Sequence, residues 1–109
     1  MTAPATIPVE VSPEAAARIE ELGMSKEFEA MIEHTKQTVA GLHTIQAGLY
    51  GDPYEPGEPR IVITAWKDGP GTVDDRTRGA WVDWYVETFS PNACRWFSFQ
   101  VDYRTDHGR

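Results

Sequence analysis

Apolar and polar positions alternate along this 109-residue chain with two different periods, and the change of period divides it into a helical first part and a stranded second part. Ala15, Ile19 and Leu22 recur at i, i+4 and i+7, the spacing of one helix face. Ser12 supplies an acceptor for the first turn, and Pro13 stands where a missing N–H does no harm. Glu14 meets the positive end of the helix dipole, and Gly23 can take the left-handed conformation that closes a helix. The spacing predicts a helix over 13–22. A second helix follows, with Ser25 as its cap and Gly41 at its end. Phe28, Met31, Ile32, Thr35 and Val39 share one of its faces, with Glu29, Glu33, Lys36 and Gln37 opposite. The short link Gly23-Met24-Ser25 makes the two a tight helical pair.

Beyond Gly41 the period falls to two. His43, Ile45, Ala47 and Leu49 alternate with Leu42, Thr44, Gln46 and Gly48, the pattern of a half-buried strand. Arg60 to Lys67 reads as another, with Ile61, Ile63 and Ala65 facing one way and Val62, Thr64 and Trp66 the other. Phe97, Phe99, Val101 and Tyr103 alternate with Ser98, Gln100 and Asp102 in a third. Ile7, Val9 and Val11 suit a short strand that Pro8 confines to a sheet edge. The segment 80–89 fits two readings. As a strand, Val82, Trp84 and Val86 alternate with Asp83, Tyr85 and Glu87; as a helix, Val82, Val86 and Phe89 form one face. Its Trp, Val, Tyr, Thr and Phe content favours the strand, with the helix as the alternative.

The expected architecture is a single α+β domain over 1–109, with 1–8 and 105–109 as loose termini. Two N-terminal helices pack on one face of a three- to four-stranded antiparallel sheet. They would cover Ile45, Ala47, Ile61, Ile63, Val82, Trp84, Phe97, Phe99 and Val101. Gly51–Pro59, with Pro53 and Pro56 inside it, and Asp68–Gly79 are loops. The chain shows no internal repeat.

Charge narrows the range of partners. A formal charge of -7 repels phosphate backbones and anionic lipid, so neither nucleic acid nor a membrane surface is expected as a partner. No apolar run approaches the ~20 residues that span a bilayer, and Met1–Glu10 lacks the features of a secretory leader. A cytoplasmic location is the expectation. Cys94, the single cysteine, can form no intrachain disulfide and reads as a buried inert thiol.

Candidate chemistry is sparse. Gly69-Pro70-Gly71-Thr72 lacks the lysine ending of a phosphate-binding loop, and Asp68, Asp74 and Asp75 would repel a nucleotide. Asp52, Glu55 and Glu58 are spaced by prolines rather than in a calcium-loop register. His34, His43 and His107 fall on a helix, a strand and a tail, in no metal-binding register. Asp83 and Glu87 would stand about 13 Å apart in a strand, too far to cooperate, or repel as helical neighbours. No catalytic, metal or cofactor residue is assigned.

The aromatic residues are more informative. With 80–89 as a strand, Trp81, Tyr85 and Phe89 point away from the helices, and Trp66 and Trp96 join them among Asp83, Glu87, Ser98, Gln100 and Asp102. Aromatic side chains set among polar ones suit an interface. The reading is a small acidic, non-enzymatic protein-binding or assembly module that self-associates through this face, as a homodimer or with another protein. One alternative is a small enzyme or ligand-binding domain. Its pocket near the loop 68–79 would use Asp74, Asp75, Arg76 and Arg78, with Trp66 and Trp81 as walls. Another is an antitoxin- or immunity-like protein that neutralises a basic partner.

Ile7–Leu22 resembles the opening of toxins of the RelE/ParE superfamily, where a strand leads into a Ser-Pro-Glu-capped helix. The likeness is confined to this helix-start segment. The ribonucleases of that family hold mRNA with basic residues, whereas this acidic chain ends with only Arg95, Arg104 and Arg109. No catalytic residue is carried over and no family is assigned.

Overall fold

Ser12 turns the chain from a short strand into the first helix. In the computed structural model, which describes residues 7–39, 41–51, 59–68 and 75–104, strand β1 (Val9–Val11) runs up to Ser12. The Ser12 hydroxyl accepts the Ala15 amide at 3.1 Å and opens α1 (Pro13–Leu22). Gly23 closes α1 at φ 68°, where a side chain would be strained, and donates its N–H to the Glu20 carbonyl at 3.0 Å. Helix α2 (Ser25–Thr38) follows at once, so Ser25 lies inside its first turn and Met24 takes the cap position without a side-chain bond. The helix ends at Val39, ahead of Gly41, whose φ of 71° turns the chain into β2 (Leu42–Tyr50). Then come β3 (Arg60–Asp68), α3 (Asp75–Thr88), the single turn α4 (Pro91–Cys94) and β4 (Phe97–Arg104).

The α+β class stands, and two finer expectations are corrected. The sheet, in the order β1-β2-β3-β4, is mixed rather than antiparallel. β1 and β2 are parallel, β2 and β3 antiparallel, β3 and β4 parallel. A helical connection returns the chain to the end of the sheet from which it left, so the strands on either side of it emerge parallel. The helices, moreover, do not all precede the sheet. Segment 80–89, preferred as a strand, belongs almost entirely to α3. Strand alternation would have buried Val86, yet it is 56% exposed, while Trp81 and Tyr85 are buried to 2% and 5%. Those two rings stand at i and i+4, one above the other on a helix. The strand preference of such residues is largely a packing preference, and it gives way where helical spacing delivers two large rings to the core.

The core fills the space between α1, α2 and α3 and one face of the sheet. Ile45, Ala47, Ile61, Ile63, Phe97 and Phe99 rise from the strands to meet Ile19, Met31, Ile32, Trp81 and Tyr85. Val82 and Trp84, expected on the sheet, sit on α3 and are half-buried against the same cluster. Trp81 is its centre. Its indole stacks on Phe99 with ring centroids 4.2 Å apart and planes 6° from parallel, and its Nε1 donates to the Thr35 hydroxyl of α2 at 2.9 Å. Thr35 in turn donates to the Met31 carbonyl at 2.7 Å, so a buried polar pair is fully used.

This layout fixes an unusual topology. The connection from β1 to β2 and that from β3 to β4 cross the same sheet face and step sideways in the same direction. The two parallel pairs point in opposite directions, because β2 and β3 are antiparallel. By geometry the two crossovers then have opposite hands, and one is left-handed, against the rule that about 98% of such units obey.

Trp81→Ala is expected to lower stability by about 3–5 kcal/mol, the usual range for loss of a large buried ring. Thr35→Val should cost about 1–3 kcal/mol, because it leaves the indole N–H buried without an acceptor. Urea unfolding followed by circular dichroism measures both.

Candidate functional site

The strand register that buries one face of the sheet turns the other away from all three long helices. Glu10 of β1, Gln46 and Tyr50 of β2, Val62, Thr64 and Trp66 of β3, and Gln100 and Asp102 of β4 stand on this open face. Several of its polar groups are joined to one another. Trp66 Nε1 donates to Gln46 Oε1 at 2.7 Å, and Gln46 Nε2 donates to Glu10 Oε1 at 3.3 Å, a chain across β3, β2 and β1. Gln100 Nε2 donates to the Thr64 hydroxyl at 3.0 Å and links β4 to β3. Tyr50, 63% exposed, lays its ring over Gly48, where an added Cβ would come within 2.9 Å of the ring. A side chain at position 48 would displace the exposed ring. Two hollows open beside the chain of bonds. One, of about 350 Å³, lies among Glu10, Gln46, Tyr50, Val62 and Thr64; the other, of about 270 Å³, lies among His43, Thr44 and Trp66.

The five aromatic residues singled out in the sequence are not brought together. Trp66 stands half-buried on the open face. Trp81 and Tyr85 are in the core on the opposite side of the sheet. Trp96 is 8% exposed, with the guanidinium groups of Arg18 and Arg95 over its ring at 4.9 and 5.2 Å. Phe89 is half-buried against Trp84 and Tyr85. Sequence reasoning set Val62 on the same strand face as Trp66 without counting it in the interface, and missed Tyr50, although strict alternation from Gln46 leads to it.

The charged group near the second loop is also divided. Asp74 lies outside the described residues, and Asp75 begins α3. Arg76 borders a third hollow, of about 340 Å³, between α2 and α3, shared with His34, Thr38, Trp81 and Trp84. Arg78 instead donates Nε to the Phe99 carbonyl at 3.3 Å. Trp66 and Trp81, on opposite sides of the sheet, do not wall one pocket. The acidic loop residues Asp52, Glu55 and Glu58, the Gly69–Thr72 turn and His107 also lie outside the described residues.

No protein-family model matches the chain, and no match was found to a curated protein or a solved structure. The chemistry of the site is therefore read from its own groups. Among the described residues, no three of His, Cys, Asp and Glu gather closely enough to hold a metal ion. Cys94 is half-buried, its thiol 3.8 and 3.9 Å from the Tyr85 and Phe89 carbonyls. Burial pushes the Tyr85 phenol far above its ordinary range, so it stays protonated as a donor to the Phe97 carbonyl at 3.0 Å.

His34 stacks flat on Trp84, with centroids 3.7 Å apart and planes 3° from parallel. Loss of water contact there holds its pKa below the ordinary 6.5. Above pH 6.5 the imidazole is neutral in both states and contributes no pH dependence. Below 6.5 the unfolded chain takes up a proton that the folded chain refuses, so stability falls until the pH passes the lowered folded value. In thermal melts at pH 7.5 and 5.5, the wild type should lose more stability on acidification than His34→Gln.

Proposed function

We propose that this chain is a small protein-binding and assembly module that works through the open sheet face, first by pairing with a second copy of itself. One observation carries the reading: α1, α2 and α3 all pack on one side of the sheet, and no described element lies on the other. Trp66, Val62 and Tyr50 supply apolar area there, and the neighbouring polar groups already satisfy one another. The uncharged groups can be covered with few donors or acceptors left without partners, while the carboxylates Glu10 and Asp102, on the two edge strands, stay solvated at the rim. Aromatic residues set among paired polar ones match the composition of known interfaces.

The charge of -7 sets a condition on self-pairing. Two like-charged copies repel, and salt screens that repulsion. The dimer should therefore strengthen as salt is added, whereas capture of a basic partner would weaken.

Light scattering over a wide concentration range, at low and high salt, tests this reading. The wild type is expected to dimerise, and Val62→Glu and Trp66→Glu each to weaken the dimer about tenfold or more, as loss of an interface anchor does. Circular dichroism should show both variants folded. A wild type that is monomeric at every concentration overturns self-pairing, and a dimer indifferent to both substitutions overturns the face.

A second reading has one observation behind it, the hollow between α2 and α3, where Arg76 stands beside Trp81 and Trp84. A cationic side chain at the border of a hollow lined by aromatic residues suits a small aromatic carboxylate. A thermal-shift screen of aromatic carboxylates should find stabilisation that Arg76→Ala abolishes, if the hollow is a binding site.

A further inference from the structure

The edges of the sheet are protected unequally. β1 exposes an edge of only three residues, and Pro8 just before it has no N–H to offer. β4 is an eight-residue edge strand. The Ile61 amide donates to the Trp96 carbonyl at 2.8 Å, which sets the ladder between β3 and β4. In that parallel register Ser98, Gln100 and Asp102 turn their backbone groups toward β3, while Phe97, Phe99, Val101 and Tyr103 turn theirs outward. Two of the four outward carbonyls are capped from α3. Tyr85 donates its hydroxyl to Phe97 at 3.0 Å, and Arg78 donates Nε to Phe99 at 3.3 Å. Both caps lie on the first half of the strand, ahead of Val101 and Tyr103.

We infer that the Val101–Tyr103 edge of β4 accepts an extended segment of a basic partner protein as a fifth strand, with a Lys or Arg of that segment opposite Asp102. This edge adjoins the open face and shares Asp102 with it, but its backbone groups take no part in the docking proposed above. The outward N–H and C=O groups of Val101 and Tyr103 offer four hydrogen bonds to an added strand. Between them Asp102 stands on the open face, beside Trp66. On the other side of the strand, the Lys67 ammonium lies over the Tyr103 ring at 5.6 Å. A cation is therefore favoured on the Asp102 side, while Val101 and Tyr103 on the other side favour apolar neighbours, which asks for the order apolar, basic, apolar.

A second copy of the chain fits this edge poorly. Antiparallel pairing of two β4 edges through these residues sets Val101 against Tyr103 of the other copy, and so Asp102 directly against Asp102. Like charges placed opposite one another destabilise a strand pair. The register that would centre on Val101 needs the Phe99 carbonyl, which Arg78 already occupies. The net charge of -7 favours a basic strand for the same reason.

The test uses the full ¹⁵N-labelled chain and a blocked peptide of threonine, valine, lysine, valine and threonine, with a second peptide carrying glutamate in place of the lysine. The amides of Val101 and Tyr103 should shift on titration with the lysine peptide, and their hydrogen exchange should slow. The glutamate peptide should bind roughly twofold to fivefold more weakly, the effect of one cross-strand charge pair. Asp102→Asn should abolish this preference and Asp102→Lys reverse it, while Tyr50→Glu on the far side of the open face leaves it intact. Three results overturn the proposal: Val101 and Tyr103 amides as protected as those of Ser98 and Gln100 before any peptide is added, binding indifferent to the peptide charge, or shifts confined to the open face. Shifts at these same two amides that depend on protein concentration alone would assign the edge to self-pairing and also overturn it.

Discussion

The indole of Trp81 decides where α3 lies. Its ring is stacked on Phe99 of β4, its N–H is bonded to Thr35 of α2, and Tyr85 follows one turn later on the same face. A helix carrying that ring has one side of the sheet on which both demands are met, the side α2 already occupies. The requirement is strict because an indole N–H buried without an acceptor costs as much as several good apolar contacts return. Once α3 is fixed, Tyr85 and Arg78 fall over the first half of the β4 edge, and their donors meet the outward carbonyls of Phe97 and Phe99. The core and the protection of the edge thus come from one placement.

The open face is built on a different logic. Its stability comes from pairing polar side chains across strands, Gln46 with Glu10 and Trp66, Gln100 with Thr64, rather than from covering apolar ones. Each side chain limits the orientations open to its neighbour, so a partner docking there as proposed would meet a largely preset surface.

Much of this was legible in the sequence where local chemistry and packing agree. Ser12, Pro13 and Gly23 mark α1 at both ends, and simple alternation delineates β2, β3 and β4. The core residues of those strands follow from the same alternation. Segment 80–89 was not legible, because its residues prefer strands while its two largest buried rings are spaced for a helix. That one misreading propagated. It made β3 and β4 antiparallel neighbours, since the helix between them is what makes them parallel, and it placed Trp81 and Tyr85 on a surface when they are in the core. The parallel pairing of β1 with β2 has a separate cause, the two helices that connect them. Trp66 was assigned to the right face because its strand was read correctly. The capping of the β4 edge was beyond reach, since it depends on which residues of α3 pass over which carbonyls.

The opposite hands of the two crossovers have a consequence for the symmetry of the fold. Two βαβ units of the same hand, set side by side in this strand order, would carry their helices on opposite faces and clothe the sheet on both sides. Reversing one hand leaves one face without a helix among the described residues. It also means that the two halves cannot be superimposed on one another by any rotation. Each half therefore carries its own folding instructions, which accords with the absence of any repeat in the sequence.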